Sequence, residues 1–348
     1  MKRLIISLLL VFAVILSIAS CGKKEEVSTP EKEEEVEEVK TEAEEVDSSE
    51  EEADSSDSEE EVYIPVVALG YGHQFWQAVK AGSDEAAEKY GASITFEGPE
   101  EETMVDKQVD MVKTALAKDP VAICIAAIDI EALRPILEEA KSNGVHVVGF
   151  DSGVGDLADS TAATDSYAAG VLAAENAHRL LEGKGKVGIV GHSQTVVDAV
   201  ARVEGFVETI ENEYPDIEIV DIQYGDGDHL KSADVAKGMM QANPDIDLIY
   251  TSNEGACVGT YNGLKEAGLI DEVMLIGFDS SAAMKEAIRE GEIEGAITQD
   301  PVSIGFLAVE CAYKLYKGED VDAMIDTGCY YYDASNMDDP VIAPLLYD

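Results

Sequence analysis

From residue 63 onward, short apolar runs alternate with segments whose apolar positions recur at helical spacing. The runs at 64–69, 93–96, 121–127 and 145–150 predict four strands, and those at 187–190, 217–222, 248–251, 274–278 and 296–298 predict five more. Helical periodicity between them predicts helices over 75–90, 105–117, 130–142, 167–181, 197–213, 256–267 and 282–290. Gly91, Gly144, Gly183, Gly268 and Gly291 stand where these helices should end, in the position that favours a left-handed residue. The apolar runs are rich in Val and Ile and continuous rather than alternating, as strands buried on both faces require. Strict β-α alternation then predicts an α/β fold with parallel sheets covered by helices. Nine strands exceed what one compact parallel sheet usually carries, so two doubly wound lobes are expected.

An internal echo supports two lobes. Val147-Val148-Gly149-Phe150-Asp151-Ser152 recurs as Leu275-Ile276-Gly277-Phe278-Asp279-Ser280. Each copy is an apolar strand, fourth in its series, ending in Gly-Phe-Asp-Ser. Ligands of open α/β sheets sit outside the carboxyl ends of the strands. Two facing lobes would therefore aim Asp151 and Asp279 at one cleft. The alternative is that each Asp caps the helix that follows it.

The first sixty residues carry a different pattern. Lys2 and Arg3 precede a nearly continuous apolar stretch over 4–19, too short and wrongly flanked for a permanent membrane span. Leu16-Ser17-Ile18-Ala19-Ser20-Cys21 resembles the bacterial lipobox, which implies a signal peptide over 1–20 and a lipid anchor on Cys21. Residues 22–61 hold 20 Asp or Glu and 4 Lys, a composition that predicts an extended, disordered tether. Of the formal net charge of −48, about −34 remains for the rest of the chain once that tether (−16) and the signal (+2) are removed. Such an acidic surface argues against nucleic acid, phosphorylated ligands and anionic membranes as partners. Cys124, Cys257, Cys311 and Cys329 show neither C-x-x-C nor zinc-ligand spacing and read as small core or near-surface residues.

Catalytic and cofactor motifs fail where they can be tested. Gly70-Tyr71-Gly72-His73-Gln74-Phe75 begins like a dinucleotide loop, but Phe75 occupies the third glycine position. There is no P-loop, nucleophile elbow or zinc-protease helix, and no cofactor or metal is expected. The five His residues (73, 146, 178, 192 and 229) are scattered along the chain. Asp226-Gly227-Asp228 reads as a turn rather than a calcium loop. The strand ends offer aromatic faces and hydrogen-bonding groups instead: Phe75, Trp76, Asp151, Asn253, Asp279 and Gln299. Sugars require this mixture, since their C–H faces pack on rings while their hydroxyls bond carboxylates and amides. Phe75 and Trp76 are adjacent on a helix, so one of them should be structural or lie at the pocket edge.

From residue 64 to the C-terminus, the chain resembles the type-I periplasmic sugar receptors, of which ribose-binding protein is a familiar member. His73-Gln74-Phe75-Trp76 stands where that family has Asn-Pro-Phe-Phe, and Asp151, Asn253, Asp279 and Gln299 match its ligand-contacting Asp, Asn, Asp and Gln. Asp165 and Arg202-Val203-Glu204-Gly205-Phe206 match positions that look structural. The resemblance implies two lobes joined by a three-segment hinge, with crossovers near 164–165, 299–300 and 327–330. Residues 62–164 plus 300–327 would form one lobe, and 165–299 plus 328–348 the other. Three departures bear on the ligand: Ser152 and Val200 replace family arginines, and Gly227 replaces a pocket aromatic. They imply a cleft short of cationic donors, with His73, Gln74 and Gln194 either substitute donors or plain loop residues. The expectation is a monomeric, lipid-anchored, extracytoplasmic binding component of an ABC importer. Its ligand would be a small neutral hydroxylated molecule, a monosaccharide or related polyol, passed to a permease. A sensory receptor and a hydrolase using Asp151 and Asp279 as acid and base are the alternatives. The export signal and the lack of a basic helix-turn-helix exclude a transcriptional regulator.

Overall fold

Twelve strands and nine α-helices alternate through the computed structural model, which describes residues 62–347. The proposed signal peptide, Cys21 and the acidic tether lie outside the described residues. The first series runs β1 (Tyr63–Val67), α1 (Gln74–Tyr90), β2 (Ser93–Glu97), α2 (Val105–Leu116), β3 (Ala122–Ile125), α3 (Ile130–Ser142), β4 (His146–Phe150) and β5 (Ser160–Ala163). The second runs α4 (Ser166–Leu180), β6 (Gly185–Gly191), α5 (Val197–Glu213), β7 (Ile217–Tyr224), α6 (His229–Ala242), β8 (Leu248–Thr251), α7 (Glu254–Ala267), β9 (Met274–Phe278), α8 (Ala282–Glu290) and β10 (Gly295–Gln299). The chain then adds α9 (Pro301–Tyr316), β11 (Met324–Asp326) and β12 (Cys329–Tyr332).

The strands form two six-stranded sheets of matching order, β11-β5-β4-β3-β1-β2 and β12-β10-β9-β8-β6-β7. Every pairing is parallel except β10 with β12. This is the two-lobed α/β architecture that the alternation predicts. The chain passes between sheets three times, after β5, after β10 and between β11 and β12. Helix α4 follows a strand of the first sheet but packs on α5, β8, β10 and β12 of the second; α9 does the reverse, packing on α1, β3, β4 and β5.

Each lobe has its own buried core. One gathers Ile64, Val66, Val79, Cys124, Val148, Phe150, Ile304 and Val309, and another gathers Ile189, Phe206, Ile210, Tyr250, Phe278 and Ile297. The five glycines expected to end helices all adopt positive φ, between 66° and 87°. Asp129, Asp165, Asp228, Asn253, Ser281 and Asp300 accept a backbone N–H in the first turn of α3, α4, α6, α7, α8 and α9 respectively. The Asp226-Gly227-Asp228 turn thus ends in a helix cap. The four described thiols are free: Cys124, Cys257 and Cys311 are buried, and Cys329 is half-buried.

Three strands escape the sequence pattern. Ser160–Ala163 has the composition Ser-Thr-Ala-Ala, with no large apolar residue, and β11 and β12 are three and four residues long at the sheet edges. The helix pairs α1/α9 and α4/α5 approach through glycines. A Cβ on Gly82 would sit 1.9 Å from Val302 O, one on Gly305 1.9 Å from Val79 O, and one on Gly170 2.2 Å from Arg202 O. Because these obstacles are backbone atoms, no rotamer change relieves them. Gly305→Ala should therefore destabilise the protein by about 1–3 kcal/mol, the usual cost of overpacking, measured as a lower urea midpoint with an unchanged slope.

Candidate functional site

The carboxyl ends of both sheets face one cleft. Leu69, His73, Phe75, Trp76, Glu102 and Asp151 line its central cavity from the first lobe, and His192, Asp198, Arg202, Asn253, Asp279 and Gln299 line it from the second. All seven ligand-contacting residues expected from the sequence are in this set. Its volume is about 20 Å³, room for about one water molecule. The lobes meet across it. Phe75 N donates to Glu254 Oε2 at 3.2 Å, Asn253 Nδ2 donates to Glu102 Oε2 at 3.5 Å, and the rings of His73 and His229 stack at 5.9 Å.

The matched aspartates share more than sequence. Both adopt left-handed backbone, φ 53° for Asp151 and 73° for Asp279, a conformation that costs about 1 kcal/mol or more for a non-glycine residue. Each donates its N–H across to the neighbouring strand, Asp151 to Ala162 O at 3.0 Å and Asp279 to Ile297 O at 2.6 Å. The helix-cap alternative does not hold. No α-helix follows β4 directly, and Ser281 caps α8. Asp279 Oδ1 instead accepts Gln299 Nε2 at 2.7 Å, and its Oδ2 accepts Glu254 N at 3.1 Å. Asn253 Oδ1 accepts Ala256 N as the cap of α7, which leaves its Nδ2 pointing to the cleft. Gln108 steadies the opposite wall from within α2. Its Nε2 donates to Ala68 O and Ala126 O and its Oε1 accepts Ile128 N, tying the ends of β1 and β3 together.

Several expectations are corrected. Phe75 and Trp76 both reach the cavity, because the N-terminal turn of α1 points into the cleft and the two rings pack edge-on at 4.8 Å. The cleft does not lack a cation. Val200 is set back from the cavity, but Arg202, expected to be structural, lines it. Its guanidinium lies 3.0 Å from Asp198 and 4.0 Å from Asp151, donates to Ser252 O at 2.9 Å, and sits 4.0 Å from the Phe278 ring centre. Asp165, by contrast, is a helix cap, and Gln74 and Gln194 are exposed. Ser152 is buried, donating to Ala127 O at 3.2 Å. Nor are the histidines all scattered, since His73, His192 and His229 converge on the cleft or its mouth.

The polar cleft residues not singled out as ligand contacts are Glu102, His192, Asp198 and Arg202 on the cavity wall, with Glu254 behind it. Their signal was position. Glu102 follows β2, His192 follows β6, Glu254 follows Asn253, and Asp198 and Arg202 fall four apart on the buried face of α5. Glu102 accepts Trp76 Nε1 at 2.9 Å and pairs with His73 Nδ1 at 3.3 Å. Burial opposes ionisation of both partners, but their mutual charge and hydrogen bond outweigh it, holding His73 at about 9 and Glu102 at about 2. Asp198 is buried too, yet Arg202 and His192 hold its pKa below the usual carboxylate range. Burial raises Asp151 and Asp279, with the charge of Asp198 adding to the first. Burial likewise raises Glu254 to about 7, against the pull of His73 and the Phe75 N–H.

The His73–Glu102 pair has a definite pH signature. His73 stabilises the fold fully below its ordinary pKa of 6.5, and that contribution fades as pH rises toward about 9. Glu102 contributes fully above its ordinary 4.5, and its share fades as pH falls toward about 2. Glu102→Gln should cost about 3 kcal/mol, near the lower end for breaking a buried pair, and should flatten the decline in Tm between pH 6.5 and 9. Thermal melts of both proteins across that range provide the measurement.

The comparisons agree with this geometry. The family model described as "Periplasmic binding protein domain" matches residues 64–320. The ribose import binding protein RbsB of Escherichia coli is 26% identical over 263 residues, covering 75% of this chain and 86% of that protein. A carbohydrate transporter solute-binding protein from Agrobacterium radiobacter, solved with D-arabinose, superposes with a TM-score of 0.79 at 30% identity, over 83% of this chain and all but 1% of its own, that is 99%. An ABC transporter solute-binding protein from Agrobacterium vitis, solved with D-fucose, gives 0.79 at 30% identity over 82% and 100%. Among the described residues, no helix is long and apolar enough to cross a membrane. The chain belongs to the periplasmic binding protein family, with the type-I two-lobed architecture, and is a binding protein rather than an enzyme.

Proposed function

We propose that this protein is the substrate-binding lipoprotein of an ABC importer, anchored through Cys21, and that it captures a monosaccharide or related polyol between its lobes. The observation that carries the reading is the convergence of Asp151, Asn253, Asp279 and Gln299 on one cavity walled by Phe75 and Trp76. Vicinal hydroxyls can donate to the two carboxylates and exchange bonds with the two amides, while the C–H face of a sugar ring packs on the aromatics. The D-arabinose and D-fucose bound by the two structural neighbours support the ligand class. Import fits as well, since the Escherichia coli relative is an import binding protein.

Binding on this reading is a hinge motion. A cavity of about 20 Å³ is far below the ~300 Å³ or more of ordinary ligand pockets, so the lobes separate to admit a ligand. The three crossovers are the joints. A ligand that touches both lobes then favours a closed state by its differential affinity, and that state docks on the permease.

Trp76 is the chain's sole tryptophan and lines the cavity, so its fluorescence reports occupancy directly. Titration with pentoses, hexoses, amino sugars and polyols, with amino acids and polyamines as contrast, should give a saturable change with at least one hydroxylated compound. A response confined to the non-sugar compounds would sink the reading. Asp279→Ala should weaken the best ligand about tenfold or more, because it leaves donors unpaired in a desolvated site. Mass spectrometry of the membrane-extracted chain should find an acylated Cys21 as its first residue, and Cys21→Ala should release the protein from membranes.

A further inference from the structure

The charges around the cavity do not balance. Glu102, Asp151, Asp198 and Asp279 line it, and Glu254 stands behind it, bonded to the Phe75 N–H. Against these five carboxylates stand three groups able to carry positive charge: Arg202, His73 and His192. Each already has a partner. Arg202 is 3.0 Å from Asp198, His73 is 3.3 Å from Glu102, and His192 Nε2 is 3.6 Å from Asp198. His229 does not make up the difference. It stacks on His73 at the mouth, where burial and the charge of His73 hold its pKa below the ordinary value.

The shortfall has a location. Asp279 is 3% exposed, and its hydrogen-bond partners are the Gln299 amide and the Glu254 N–H, neither of them a cation. A buried carboxylate without a countercharge is costly unless it is protonated or paired. Beside it, Gln299 is 1% exposed and its Oε1 has no hydrogen-bond partner. Asp198 Oδ1, at 6% exposure for the residue, is unpartnered as well. Two buried acceptors on the cavity wall therefore lack donors. Arg202 Nε is a lone unpartnered donor on the same wall, suited to a hydroxyl oxygen. Burial raises the pKa of Asp151, Asp279 and Glu254, against the charge of Arg202 on the first two and of His73 on the third.

We propose that the ligand is a cation, an ammonium group on a small polyhydroxylated body such as an amino sugar or aminocyclitol, with its charge held by Asp279 and Gln299 Oε1. An ammonium brings three donors and no acceptor, which matches a wall rich in acceptors. Its hydroxyls meet Asp198, Asn253 and Arg202. The inference rests on the reading of the cleft as a site for hydroxylated molecules, and it replaces the neutral ligand expected from the sequence with a charged one.

The test uses matched probes on the full folded chain, read by calorimetry and Trp76 fluorescence: D-glucosamine, D-glucose and N-acetyl-D-glucosamine, D-galactosamine and D-galactose, and putrescine. At least one amine should bind about tenfold or more tightly than its neutral parent, the advantage of a charge-assisted contact. N-acetylation, which removes the charge, should abolish that advantage. Asp279→Asn, isosteric and uncharged, should shrink the preference to about threefold or less. Neutral parents binding as tightly as the amines would overturn the charge and leave the sugar reading standing. Binding of putrescine with no hydroxylated probe would overturn the sugar reading instead. Failure of every probe to bind overturns the proposal.

Discussion

Everything at the cleft is arranged around the buried guanidinium of Arg202. Removing a charge from water is tolerable only when partners surround it, and Arg202 has them on several sides: Asp198, Asp151, Ser252 O and the face of Phe278. Those partners come from α5, from the end of β4 in the other lobe, from the loop after β8 and from β9. One side chain thus connects the principal strand ends of both sheets. His192 extends the arrangement, with Nδ1 against Ser252 Oγ at 2.8 Å and its other nitrogen facing Asp198. In a medium of low polarity such contacts are directional, and they set where the remaining carboxylates can stand.

The two lobes solve the same backbone problem twice. A parallel strand ends in Gly-Phe-Asp-Ser, the Asp turns into a left-handed conformation, and its N–H still pairs with the next strand. That turn takes the carboxylate off the sheet and into the cleft. The cost of the conformation is met by the surrounding sheet and recurs at both sites. The two copies then diverge. Asp151 faces a guanidinium, whereas Asp279 faces an amide and a backbone N–H.

Much of this was legible in the sequence because the signals were local. Continuous Val and Ile runs marked the central strands, terminal glycines marked helix ends, and the Gly-Phe-Asp-Ser echo marked the cleft. Strand β5 was silent because Ser-Thr-Ala-Ala carries no apolar run, and β11 and β12 are too short for periodicity to register. The cleft residues that went unnamed depend on long-range geometry. Glu102 is one of a run of glutamates after β2, and nothing in that run shows which one turns inward to meet His73 and Trp76. Arg202 was read as structural because Arg202-Val203-Glu204-Gly205-Phe206 resembles family positions that look structural. Helix geometry alone does not say that its guanidinium reaches past them to the cavity.

The exchange of helices between lobes bears on the order in which the chain can fold. The core of the first lobe includes Ile304, Ala308, Val309, Cys311 and Ala312 of α9, which follow β10 by sequence but pack beside α1 and β3. More than half of the described chain lies between that helix and β3 and β4, two of the strands it covers. An apolar face on β3 and β4 therefore stays open until α9, which follows the whole second sheet from β6 to β10, has been made, and closing so large a loop is slow. The second sheet, contiguous from β6 to β10, can assemble first. A receptor built this way completes its first lobe last, although the strands of that lobe are made before those of the second.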